Sequence, residues 1–111
     1  MMIGITSFAQ PCIPVDVVTF TFNKPTYNGQ IIGTIYGCDQ DANTVLTYRM
    51  TSGSTKYWTV VKSTIDPLNA YVIVNNSAQL NKDPNHSYLL TVMVTDNTGL
   101  KSKSCKVIIN Y

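Results

Sequence analysis

Seven short β-rich runs, separated by turn-forming residues at a spacing of about 8 to 12, most narrow what this chain can fold into. They fall approximately at Val15–Phe22, Gln30–Cys38, Val45–Met50, Lys56–Val61, Ala70–Val74, Ser87–Thr95 and Ser102–Asn110. Between them stand Asn28-Gly29, Asp39-Gln40-Asp41, Ser52-Gly53-Ser54, Asp66-Pro67, Asp83-Pro84-Asn85 and Asn97-Thr98-Gly99, residues that accept unusual φ or bond to their own turn. Such evenly spaced runs predict an all-β sandwich rather than alternating α and β units. The abundance of Thr, Ser, Asn and Tyr suits solvated sheet faces, and long helices are not expected.

Side chains alternate between faces along a strand, so each run divides into an inward and an outward set. In Leu46-Thr47-Tyr48-Arg49-Met50 the alternation assigns Leu46, Tyr48 and Met50 to the core. The other runs then bury Ile31, Ile35, Trp58, Val60, Val72, Val74, Tyr88, Leu90, Val92, Val94, Val107 and Ile109. In a chain of 111 residues, 44% of them hydrophobic, that set forms one core, and a single domain is expected over residues 13–111. Residues 1–12 carry small side chains at Ser7 and Ala9 before Gln10, placed like the tail of a secretory signal but without a basic n-region. Two readings of that segment stand, a signal remnant and a disordered N-terminus.

Charge and residue types exclude several functions. The net charge of +2 is scattered, with no basic run to track phosphates, so nucleic acid is not an expected partner. No apolar run approaches the roughly 18 residues that cross a bilayer, so no membrane insertion is expected. All six acidic residues are aspartates, which removes any mechanism built on a glutamate. The one histidine, His86, adjoins Ser87, but neighbouring strand residues point to opposite faces and make no dyad. No enzymatic activity is expected. Asn75-Asn76-Ser77 and Asn85-His86-Ser87 match the glycosylation sequon, which matters only in a host that uses it.

The three cysteines, Cys12, Cys38 and Cys105, lack metal-site spacing, so zinc is not expected. Alternation turns Cys105 inward with Val107, where a thiol behaves as a small hydrophobe. Cys38 points outward beside Asp39, and Cys12 precedes the first strand near the same pole, so a Cys12–Cys38 disulfide is geometrically open to a secreted protein.

Gly33-Thr34-Ile35-Tyr36-Gly37-Cys38-Asp39-Gln40-Asp41, followed by Leu46-Thr47-Tyr48, resembles the cadherin-type repeat pattern of G-T, A-x-D-x-D and L-x-Y. Tyr88-Leu89-Leu90-Thr91-Val92-Met93-Val94-Thr95-Asp96 resembles its Y-x-L-x-V-x-A-x-D, and Trp58 stands at a core phenylalanine. The resemblance covers about residues 27 to 110. It implies a seven-stranded immunoglobulin-like Greek-key sandwich working outside the cell or at its surface. It also implies calcium ligands at Asp39, Asp41 and Asp96. Calcium takes about six to eight oxygens, so these three with water make a weak site, and the fold requires no cofactor. The plainer reading is that Asp39 and Asp41 bond their own turn while Asp96 organises its hairpin.

The rest of the family's ligand set departs from the pattern. Leu80-Asn81-Lys82-Asp83 stands where the family has L-D-R-E, and no glutamate occurs near the second strand. Ile108-Ile109-Asn110-Tyr111 shows no D-x-N-D-N linker, so no further site is expected from it.

The outward positions supply a different candidate. Ile32, Thr34 and Tyr36 on the second strand, Tyr57 and Val61 on the fourth, and Tyr71 and Ile73 on the fifth face solvent by the same alternation. In the implied topology these strands share one sheet. Ile32, Tyr36, Tyr57, Tyr71 and Ile73 are therefore the expected partner-binding residues of an adhesion or protein-interaction module. Two other readings use the same face: a carbohydrate-binding module stacking sugars on Tyr36, Tyr57 and Tyr71, and a structural spacer or appendage subunit packing on its own copies. Partners are thus a protein or glycan at the cell surface, or a neighbouring domain or N-terminal segment covering the face.

Overall fold

The strands form where apolar residues alternate and stop where turn residues interrupt them. In the computed structural model, which describes residues 11–38, 45–53 and 55–111, they are β1 (Val17–Thr21), β2 (Ile31–Ile35), β3 (Thr47–Ser52), β4 (Trp58–Lys62), β5 (Ala70–Val74), β6 (Ser87–Thr95) and β7 (Cys105–Asn110). They build two sheets, ordered β1-β7-β6-β3 and β2-β5-β4. The β1–β7 pair is parallel and the other ladders are antiparallel. This is the all-β sandwich that the run pattern predicts, in the immunoglobulin-like topology that the resemblance implies, with the second, fourth and fifth strands in one sheet.

One short helix, α1 (Ser77–Leu80), follows β5. Asn76 caps it, its side chain accepting from the Gln79 N–H at 3.2 Å.

The segment before β1 changes sheets. Cys12 and Cys38 exchange backbone hydrogen bonds of 2.8 and 2.9 Å beyond the end of β2. By Asp16 the chain has crossed over, and the Asp16 carbonyl accepts from the Lys106 N–H at 2.9 Å as β1 joins β7. Pro11 and Pro14, which offer no N–H to a ladder, occur on this crossing. Of residues 1–12, where the signal or disordered segment is expected, 1–10 lie outside the described residues, whereas Cys12 belongs to the sheet edge.

Between the sheets, Ile35, Trp58, Val72 and Val74 meet Leu90, Val92, Val107 and Ile109, with Phe22 and Leu80 completing the cluster. Phe22 meets Trp58 edge-on at 5.5 Å. Each aliphatic side chain buried here contributes about 1.5–3 kcal/mol before chain entropy is subtracted. Leu46, Val94 and Cys105 are buried as alternation predicts, while Tyr48, Met50, Val60 and Tyr88 pack on the cluster half-buried.

Alternation fails at one place. A bulge in the β2–β5 ladder between Ile31 and Gly33 reverses the phase, so Ile31 lies opposite Ile73 at 53% exposure while Ile32 packs against the core. Ile31 was expected inside and Ile32 outside; the extra residue exchanges them. Gly33 sits at the bulge because the Phe20 ring fills the space its Cβ would need.

Candidate functional site

The outer face of the β2-β5-β4 sheet is set by its registers. Ile31, Ile73 and Thr59 form one cross-strand row, and Thr34, Tyr71 and Val61 form the next. Tyr36 follows beyond the end of β2 and is 64% exposed. The Tyr71 hydroxyl accepts from Ser63 Oγ at 3.2 Å, which fixes the ring's outer edge. None of these positions carries a charge. Beside them, Ile13, Pro14, Val15 and Val18 frame with Thr34 and Tyr36 a mostly apolar hollow of about 80 Å³. Ile13, Pro14, Val15 and Val18 therefore flank the face beside the exposed Tyr36.

Two expected members are elsewhere. Ile32 is turned inward by the bulge, and Ile31 takes its place. Tyr57 lies in the turn before β4, where strand alternation does not apply, and its ring packs edge-on against Tyr88 at 5.8 Å. The structure thus brings together Tyr36, Tyr71 and Ile73 of the five expected residues.

At the pole where β6 ends, Asp96 is 6% exposed. Its Oδ1 accepts from Thr98 Oγ1 (2.6 Å), the Thr98 N–H (2.9 Å) and the Leu100 N–H (3.0 Å), an arrangement completed by Gly99 at φ 91°. The Thr98 hydroxyl and these N–H groups hold the Asp96 carboxyl below its ordinary value. Among the described residues Asp96 Oδ2 is buried without a partner. Tyr48 ties the sheets together at this pole, donating to the Leu68 carbonyl at 2.6 Å. Burial, then the charge of Asp66, pushes the Tyr48 hydroxyl up to about 12. Gly37 permits that crossing, since a Cβ there would strike the Tyr48 hydroxyl and the Leu68 carbonyl. Cys12 and Cys38 have their sulfurs at bonding distance with Cα atoms 5.1 Å apart, and Cys105 is a buried free thiol.

Solved structures share this arrangement over nearly the whole chain. Zebrafish RET cadherin-like domains 1 to 4 match with a TM-score of 0.72 at 10% identity, over 90% of this chain and 24% of that one. Chicken VE-cadherin EC1-2 matches with a TM-score of 0.72 at 19% identity, over 92% of this chain and 50% of that one. The fold is that of a cadherin-like domain. The human desmocollin-1 ectodomain agrees, with a TM-score of 0.72 at 18% identity, over 92% of this chain and 20% of that one. The domain thus spans half or less of the length of these structures. No protein-family model matches the chain, and no curated protein matches it.

A cadherin-like fold implies calcium, and the two poles answer differently. Asp96 Oδ2 is a buried carboxylate oxygen with no partner among the described residues, the donor a hard cation takes. Asp39 and Asp41 lie outside the described residues, and among the described residues no three His, Cys, Asp or Glu converge. The opposite pole gathers Lys24, Asn81, Asp83, Tyr57, Tyr88, His86 and Tyr111. There Lys24 Nζ donates to the Asp83 carbonyl at 2.7 Å and sits 4.8 Å from the centre of the Tyr111 ring, on which His86 stacks at 5.4 Å. The Asn85 N–H, then the Tyr57 hydroxyl, with the Lys24 charge adding to both, hold the Asp83 carboxyl below its ordinary value. His86 is exposed and serves as a stacking partner. Sequence reasoning passed over Lys24 because nothing in Asn23-Lys24-Pro25 distinguishes it from a solvated lysine.

Proposed function

We propose that this cadherin-like domain is a non-catalytic adhesion or protein-interaction module, placed outside the cell or on its surface, that meets its partner with the outer face of β2-β5-β4. The observation that carries the reading is the pair of uncharged rows, Ile31–Ile73–Thr59 and Thr34–Tyr71–Val61, extended by the open Tyr36 ring. An aromatic and aliphatic sheet face of this kind binds by excluding water around a few anchors. The partner is a cell-surface protein or a neighbouring domain. The extracellular placement is supported by the fold shared with ectodomain structures and by the Cys12–Cys38 pair, which suits an oxidising compartment.

The test is binding of the whole chain to intact cells before and after protease treatment, with wild type and a Tyr36→Ser, Ile31→Thr variant. Protease-sensitive binding that the variant loses while keeping its melting temperature supports the reading. Binding that survives protease and appears on a glycan array assigns the face to sugars instead, and concentration-dependent mass in sedimentation assigns it to copies of the same chain.

A second reading concerns the other ligand class. Asp96 Oδ2, together with Asp39 and Asp41, would form a weak calcium site at the β6 pole. A melting temperature that rises at millimolar calcium, and does so no longer in Asp96→Asn, supports it.

A further inference from the structure

We propose that Lys24 is the resident cation of its pole, so that this end of the cadherin-like domain is organised without calcium. The resemblance to L-D-R-E implies a divalent ion held here by carboxylates, and the structure uses the same segment otherwise. Asn81 Oδ1 accepts from the Thr26 N–H (2.7 Å) and Thr26 Oγ1 (2.8 Å), while Asn81 Nδ2 donates to the Thr26 carbonyl (3.2 Å). An amide can satisfy both the N–H and the carbonyl of one residue; the family's aspartate, which only accepts, cannot. Asn81 is therefore a latch between the Lys24-Pro25-Thr26 turn and the end of α1, with its oxygen fully engaged.

Asp83 is engaged as well. Its Oδ1 accepts from the Asn85 N–H at 2.8 Å, and its carbonyl accepts from Lys24 Nζ at 2.7 Å. The ammonium lies over the Tyr111 ring, which packs in turn against Phe22 at 5.6 Å. Lys24 thus connects the turn after β1, the loop before β6 and the residue after β7, three segments that a metal would otherwise gather. A divalent ion arriving here meets a fixed positive charge, an Asn81 oxygen that already accepts two hydrogen bonds, and a single carboxylate whose Oδ1 is held by the Asn85 N–H. This inference does not depend on the outer-face binding reading, and it leaves the Asp96 pole free to bind calcium or not.

Residue-resolved NMR of the whole chain separates the two poles. The amides of Thr26, Asn81, Asn85 and Tyr111 should not move up to about 10 mM calcium, beyond the range in which extracellular calcium modules fill. Lys24→Met should lower Tm by about 4–8 °C, the shift for roughly one charge-assisted contact in a domain of this size, and calcium should not restore it. Lys24→Arg, which keeps the charge, should recover most of the loss. Saturable calcium shifts at those four amides, abolished by Asp83→Asn, would overturn the proposal, as would a Lys24→Met variant melting like wild type. Should Lys24→Met not fold, the wild-type titration and Lys24→Arg decide.

Discussion

Replacing Cys12 and Cys38 by serine, or reducing them, removes a cross-link between positions 26 residues apart. In the chain-entropy treatment a closed loop of this length restricts the unfolded state by about 3.5 kcal/mol at 25 °C. At about 4–8 °C per kcal/mol, the melting temperature should fall by roughly 15–25 °C. The fold should survive, because β1 stays paired to β7 along five residue pairs and the Cys12 and Cys38 backbones still exchange two hydrogen bonds. Circular dichroism melts with and without a phosphine reductant measure the shift, and thiol titration reports the state of the bond. The untreated protein should yield one thiol, from Cys105, and only after denaturation, because Cys105 is buried. Three thiols in the denatured untreated protein, or reduced and oxidised samples melting within about 2 °C of each other, would refute the reasoning.

Three further outcomes are expected. Tyr48→Phe strands the Leu68 carbonyl and should cost about 1–2 kcal/mol in urea unfolding with an unchanged m-value. Gly37→Ala drives a methyl into the Tyr48 hydroxyl and the Leu68 carbonyl, and should cost about 1–3 kcal/mol by the same measurement. The Asp96 and Asp83 carboxyls are both held below their ordinary value in the folded state. The stability they contribute is therefore complete above about pH 4 and is lost as pH falls through their lower folded values. Melting followed from pH 6 down to about pH 2 should show this acid limb, and Asp96→Asn should flatten it.

What the sequence made legible follows from what alternation can encode. Val72, Val74, Leu90, Val92, Val107 and Ile109 sit mid-strand with regular ladders on both sides, and for such residues a period of two is sufficient. Ile31 and Ile32 were misassigned because a bulge is a property of the pairing between two strands, and only Gly33 hints at it. Tyr57 departs from its expected place for a related reason: it precedes the start of β4, where alternation does not hold and a turn aims the ring at Tyr88. The Thr26–Asn81 latch joins residues 55 apart through side-chain amide geometry, and no periodicity carries information about it.

The two ends of the sandwich, read together, separate the fold from the metal chemistry its resemblance suggests. At the β6 end Asp96 Oδ2 is buried with no partner among the described residues, a desolvation cost that a bound cation would offset. At the Lys24 end the corresponding cost does not arise, since the Asn81 amide bonds Thr26, the Asp83 carboxylate accepts from the Asn85 N–H, and the ammonium donates to the Asp83 carbonyl. On the two proposals, a cation would stabilise the first end and add nothing at the second. If neighbouring domains flank this one, the Lys24 end should meet its neighbour with geometry insensitive to calcium, while any calcium dependence should be confined to the Asp96 end.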